Sequence, residues 1–125
     1  MDSIITKIAR KKMAEARNGS IQLPPIQSIA LGDGGLDGDG NPIVPLEQDI
    51  RLNNELLRRD YDSVVRLSDT SFRYRIDLRP GELLGKEISE IALFDSEGDM
   101  LSIKTFLPKV VEADMEISFE IDDKF

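Results

Sequence analysis

The chain contains no cysteine, no histidine and no tryptophan. Without cysteine there is no disulfide framework, no thiolate zinc site and no thiol nucleophile. Without histidine the Ser-His-Asp and Cys-His arrangements cannot be built, and imidazole-based zinc sites are excluded as well. Five phenylalanines and two tyrosines are the whole aromatic complement of 125 residues, a thin supply for stacking sugars or bases. Apolar stretches run only a few residues, against the ~20 that a membrane span needs. The N-terminal stretch MDSIITKIARKK has a broken apolar run and lacks the continuous core of a secretory signal, so a cytoplasmic origin is expected. Cations are also scarce: 16 Lys and Arg stand against 24 Asp and Glu, a net charge of −8. Such a chain is a poor binder of phosphate backbones, and neither a nucleic-acid nor a membrane partner is expected. Any catalysis would have to run on carboxylates, lysine, tyrosine or a hard metal ion.

What is present is an ordinary globular balance, 40% hydrophobic and 32% charged, sized for a single domain over 1–125. Ile4, Ile5, Ile8, Ala9, Met13 and Ala16 recur at helical spacing and predict an amphipathic helix over 1–18. Asp2 or Ser3 can cap its start, and Asn18 and Gly19 can end it. Its polar face carries Lys7, Arg10, Lys11, Lys12 and Arg17, giving residues 1–20 a local balance of +3. Pro24 and Pro25 break the chain before a short strand, Ile26 to Leu31. GDGGLDGDGNP at 32–42 then reads as an exposed loop, extending over 32–44, whose glycines can take positive φ. Pro45 can open a second short helix over Leu46 to Arg59, with Ile50, Leu56 and Leu57 inward.

Residues 61–122 read as mainly β. Phe72, Tyr74, Ile76 and Leu78 alternate with Arg73, Arg75, Asp77 and Arg79, a half-buried strand with a charged outer face. Ile91 and Leu93 lie on one face of the next strand and Ala92 and Phe94 on the other, which predicts cover on both sides. Asp95 to Asp99 reads as a hairpin turn with Gly98 at positive φ. Ala113, Met115, Ile117, Phe119 and Ile121 alternate with mostly acidic residues in a closing strand, and residues 107–125 carry a local balance of −4. The expected class is α+β, with an N-terminal helix, a second short helix and a mostly antiparallel sheet or sandwich.

Three groups of residues invite chemistry. Asp37, Asp39 and Asn41 match the first ligand positions of a calcium loop. Pro42 replaces the sharp-turn glycine, Gln48 replaces the bidentate glutamate, and Glu47 falls one residue short, so an EF-hand is not expected. A weaker divalent or polar-ligand site on the 32–42 loop is the alternative reading. Glu87, Glu90 and Asp95 are close in sequence, but a carboxylate pair does acid–base work only when its environments split its pKa values. GDGG is not a phosphate loop, because it has no following Gly-Lys-Ser/Thr and carries Asp33, Asp37 and Asp39. The cations Lys7, Arg10, Lys11 and Lys12, with Asp33, Asp37 and Asp39 of the loop, are the candidate interaction surface.

Three blocks in order carry a resemblance. The first is the helix ITKIARKKMAEA, 5–16. The second is IALGDGG, 29–35, followed by a variable loop and RLNNELLRR, 51–59. The third is GKEISEIALFDSEGDMLSIKTFLPK, 85–109, in which Ile88, Glu90, Ile91, Leu93, Phe94, Asp95, Gly98 and Met100 fit the pattern I-x-E-I-x-L-[FY]-D-x-x-G-x-[LM]. With the closing ADMEISFEID, 113–122, the chain resembles the N-terminal domain of phage tail-collar fibre proteins. The resemblance implies a structural, non-enzymatic module of a phage or prophage that attaches a tail fibre to the baseplate of a contractile tail. It implies a trimer, a baseplate or fibre protein as partner, a place in the virion tail, and no cofactor or catalytic residue. Members of that family usually continue into a shaft, whereas this sequence stops at Phe125, so host-receptor recognition is not part of the expectation.

Overall fold

The computed structural model describes residues 2–125. Its architecture is mostly antiparallel β, with one short helix among the described residues. The chain opens with β1 (Ile4–Ile5), then α1 (Lys7–Arg17) and β2 (Ile26–Gly32). After a long irregular segment come β3 (Glu55–Asp60), β4 (Ser63–Ser68) and β5 (Ser71–Asp77). β6 (Glu87–Asp95), β7 (Met100–Val110) and β8 (Ser118–Lys124) complete it. One sheet has the order β1-β7-β6-β2-β3 and the other β4-β5-β8, with every pairing antiparallel.

The N-terminal helix is shorter than its apolar spacing suggests. Ile4 and Ile5 leave the helical stripe and pair with Ile103 and Ser102 at the edge of β7. The N-cap is therefore Thr6, not Asp2 or Ser3. Its hydroxyl accepts from the Ala9 amide at 3.3 Å and donates to the Met100 carbonyl at 2.7 Å. Two adjacent β-branched residues beside an open strand edge favour the extended form. The helix ends at Asn18, followed by Gly19 at φ +87°, as the sequence predicts. Met1, which the expected helix included, lies outside the described residues.

The second helix does not form. Leu46 to Asp49 make a turn, with the Leu46 amide donating to Asp49 Oδ2 at 2.9 Å. Residues 55–60 are the strand β3, paired with β2. The amides of Asn53 and Asn54 are bound to a side chain of β6, so they are not free for a helical ladder. Leu56 and Leu57 are half-buried as expected, but Ile50 is 67% exposed.

The main core lies between the sheets. Ile29 and Leu31 of β2 and Ile91 and Leu93 of β6 meet Ile76 of β5 and Ile121 of β8, all at most 1% exposed. Burying each such side chain contributes roughly 1.5–3 kcal/mol. The opposite face of the larger sheet carries Ala30, Ala92, Phe94, Met100 and Ile103, clustered with the buried Leu52 from the irregular segment. The Arg58 guanidinium lies 3.5 Å over the Phe94 ring. β6 is thus covered on both sides, as its two apolar faces require.

The closing strand begins later than its alternation implies. Asp114 sits at φ +65° and breaks the run, so Ala113 and Met115 are exposed and β8 starts at Ser118. Ile117, Phe119 and Ile121 do face the core. The outer faces of β5 and β8 are complementary in charge. Arg73 stands opposite Asp122 with Nε–Oδ1 at 2.8 Å, and Arg75 stands opposite Glu120 while binding Asp77 at 2.9 Å. Arg73 also holds the Asp122 carboxyl below its usual range. Half of the acidic C-terminal face is therefore matched within the molecule instead of being offered to a partner.

Candidate functional site

Glu90 is fully buried, and among the described residues no cation lies within ion-pairing distance of it. Strand alternation places it on the face of β6 that also carries Ala92 and Phe94. Its charge is met by backbone amides instead. Oε1 accepts from Asn53 at 2.9 Å, and Oε2 accepts from Asn54 at 2.8 Å and from Gly34 at 2.8 Å. Hydrogen bonds to an ionised acceptor contribute about 1.5–3 kcal/mol each, and a buried carboxylate lacking them is strongly unfavourable. The side chains of the same segments close the ring, with Asn53 Nδ2 donating to the Gly34 carbonyl at 2.9 Å and Asn54 Nδ2 to Asp33 at 2.6 Å.

The glycines before this knot are there for space. A Cβ on Gly32 would stand 2.3 Å from the Asn54 carbonyl oxygen and 2.5 Å from Glu90 Oε2. On Gly34 it would stand 2.7 Å from the Asn54 nitrogen, and on Gly35 2.2 Å from the Ser89 carbonyl oxygen. The Gly35 amide donates to Ser89 Oγ at 2.9 Å. The expectation of an exposed, positive-φ loop over 32–42 is thus corrected. Gly32 and Gly35 are buried, and only Gly40 in that stretch has a positive φ. The exposed part is 37–41, an Asx-type turn in which Asp37 Oδ1 accepts from the amides of Asp39 and Asn41 at 2.9 and 3.0 Å. One of the oxygens counted as a metal ligand is committed to that turn.

Lys12 is not part of the polar helix face. It is 7% exposed, and its ammonium sits among Asp95 Oδ2 at 2.6 Å, Asp99 Oδ2 at 2.6 Å and Glu97 Oε1 at 3.0 Å. Burial alone would lower its pKa, but the hydrogen bonds to Asp95, Asp99 and Glu97 outweigh it and raise the value. Asp95 Oδ1 meanwhile accepts from the amides of Glu97 and Asp99, both at 3.0 Å, shaping the hairpin around Gly98 at φ +85°. The three carboxylates are close enough together to hold a cation, and the lysine ammonium occupies their centre. Of the other candidate contact residues, Lys7 and Lys11 are exposed, and Arg10 pairs with Glu47 at the surface. Glu87, Glu90 and Asp95 do not form an acid–base set. Glu87 is exposed, Glu90 serves the amides, and Asp95 serves Lys12 and its own turn.

Sequence reasoning missed one titratable residue. Asp123 continues the inward series 117, 119, 121, and it is 9% exposed. Among the described residues its one side-chain hydrogen bond is from Ser102 Oγ at 3.4 Å, and burial pushes its pKa up. Extending the alternation by one step would have found it.

Replacing Glu90 with Gln keeps the shape but turns an NH2 group toward amide donors. The expected cost is about 2–4 kcal/mol in urea unfolding. In the glycine loop, Gly35→Ala is expected to lower the melting temperature sharply, whereas Gly38→Ala, with nothing within 4 Å of its Cβ, leaves it unchanged. Lys12→Met strands a buried aspartate and is expected to destabilise by about 3–5 kcal/mol, read from the same unfolding curves. Compared with known protein families, curated proteins and solved structures, the chain matches none of them.

Proposed function

We propose that this chain is a structural attachment module of a phage-like contractile tail, joining a tail fibre to the baseplate as a trimer. Its partners are then a baseplate or fibre protein, and its place is the virion tail, assembled in the bacterial cytoplasm. One observation carries the reading. Two of the blocks behind the tail-collar resemblance meet at Glu90, which accepts from Gly34 of LGDGG and from Asn53 and Asn54 of RLNNELLRR while itself belonging to ISEIALFD. The remaining block, the N-terminal helix, is tied to the same strand through Lys12 and Asp95. A motif whose fixed residues build contacts between elements describes a scaffold, and a scaffold is what an attachment module requires. The net charge of −8 adds a preference for basic partner surfaces, which sets approach and register more than affinity.

Mass spectrometry of particles purified after induction of the source strain tests this directly. The chain is expected in the tail fraction in stoichiometric amount, and its absence from intact particles removes the proposal. Light scattering of the purified chain is expected to give three chain masses.

A further inference from the structure

Asp123 lines a cleft of about 270 Å³ between the helix, the Leu23–Pro25 connection and the smaller sheet. The walls are chiefly apolar: Ala9, Met13, Leu23, Pro24, Tyr74 and Phe125. Four polar groups face Asp123 or share its cleft. Ser102 comes from β7 and Tyr74 from β5, while the buried Lys12 of α1 and Asp95 of β6 line the same cleft. The only cation among them is taken, since Lys12 is held by three carboxylates. Asp123 is therefore a carboxyl group about nine-tenths buried, with one long hydrogen bond and no ion-pair partner among the described residues.

A carboxylate without an ion-pair partner in the wall of a largely apolar cleft is complementary to a cation carried on an apolar stem. The cleft is below the ~300–1,000 Å³ range of sites that enclose a whole small molecule, so it suits one side chain. Two aromatic rings in the lining favour a guanidinium over an ammonium. Guanidinium is planar and weakly hydrated, and it stacks on rings while donating to a carboxylate. We infer that this cleft is an anchor site for one arginine side chain of a partner protein, with Asp123 as its counter-ion and Tyr74 and Phe125 as its walls.

The inference stands apart from the tail reading, since it names the side chain and not the assembly that presents it. Burial raises the Asp123 pKa, and burial, with the Asp123 charge adding to it, pushes the Tyr74 hydroxyl up to about 12. A bound cation favours ionised Asp123, so binding should weaken about tenfold per pH unit below the pKa of the free group. The converse holds for stability. The raised pKa stabilises the fold at acid pH, and that contribution is lost as pH rises through it. Asp123→Asn should therefore fold at least as well as the parent at pH 7.

The test is carboxyl and ring NMR of the full chain titrated with the capped peptide Ac-Leu-Arg-Leu-NH2, with the Lys and Gln peptides as comparisons. The Arg peptide is expected to lower the Asp123 pKa and shift the Tyr74 and Phe125 signals, the Lys peptide to do so more weakly, and the Gln peptide to do neither. Asp123→Asn, still folded by its amide spectrum, is expected to lose at least tenfold in affinity for the Arg peptide. Equal responses to Arg and Gln peptides, an unchanged Asp123 pKa, or full affinity in the Asn variant would overturn the assignment.

Discussion

The arrangement depends on a negative charge placed inside the molecule without a positive one beside it. An isolated carboxylate in an apolar interior is so unfavourable that it would take up a proton or draw in donors. Glu90 is supplied with donors by chain segments 56 and 36 residues away in sequence, at Gly34 and Asn54. These amides lie in irregular backbone and have no strand or helix partner of their own. Carboxylate and amides therefore solve each other's problem. The result is that the long segment between β2 and β3 lies over the second face of the larger sheet as a fixed layer. Leu52 is then buried beside Ala30, Ala92 and Phe94.

The scarce cations are used in a consistent way. Lys12 draws the helix to the β6–β7 turn. Arg59, half-buried, binds Glu82 at 3.0 Å, Asp62 at 3.0 Å and the Asp77 carbonyl at 2.6 Å, tying the end of β3 to the loop after β5. It holds the Glu82 carboxyl below the usual range, and Asp62 is held low by the Asp77 amide and then by Arg59. Arg73 and Arg75 line the outer face of the smaller sheet against the acids of β8. The joints use only part of the basic complement, since Lys7, Lys11 and Arg17 stay at least partly exposed on the helix, and the chain as a whole remains acidic at a net charge of −8. Exposed pairs such as Arg10–Glu47 add little to stability.

The legible parts of the fold were those set by local pattern. Alternation in 74–78, 91–94 and 117–121 assigned faces correctly, although Phe72, first of its inward series, is 38% exposed, and Asp95–Asp99 with Gly98 read as the turn it is. Illegible were the features decided by a distant partner. Pro45 and the leucines of 46–59 satisfy a helical template, but the helix loses to the carboxylate of Glu90 and to pairing with β2. Ile4 and Ile5 fit the helical stripe and are taken by the edge of β7. Lys12 looks like its solvated neighbours Lys11 and Lys7, and only the position of the hairpin separates them. For the candidate site the same holds. Glu90 stood out as one acid near Glu87 and Asp95 and as one position of the resemblance pattern, and nothing in the spacing distinguishes an exposed acid from one that accepts three amides.

The glycine-rich stretch shows why such a motif is misread. Glycine serves two physical ends, positive φ and close approach, and composition does not tell them apart. At Gly40 the backbone needs the first, whereas at Gly32, Gly34 and Gly35 a neighbouring chain occupies the space of the Cβ. The difference follows from β6. A strand buried on both faces has apolar residues through its middle, Ile91 to Phe94, and no exposed side from which polar groups could direct its neighbours. Its buried polar residues stand before and after that run. Glu90, with Ser89, fixes the glycine loop and the segment before β3. Asp95 fixes the helix through Lys12 and the turn through two amides. In this chain the Glu and Asp flanking the apolar run therefore tie the central strand to its own covers, and the glycines are the space those covers need.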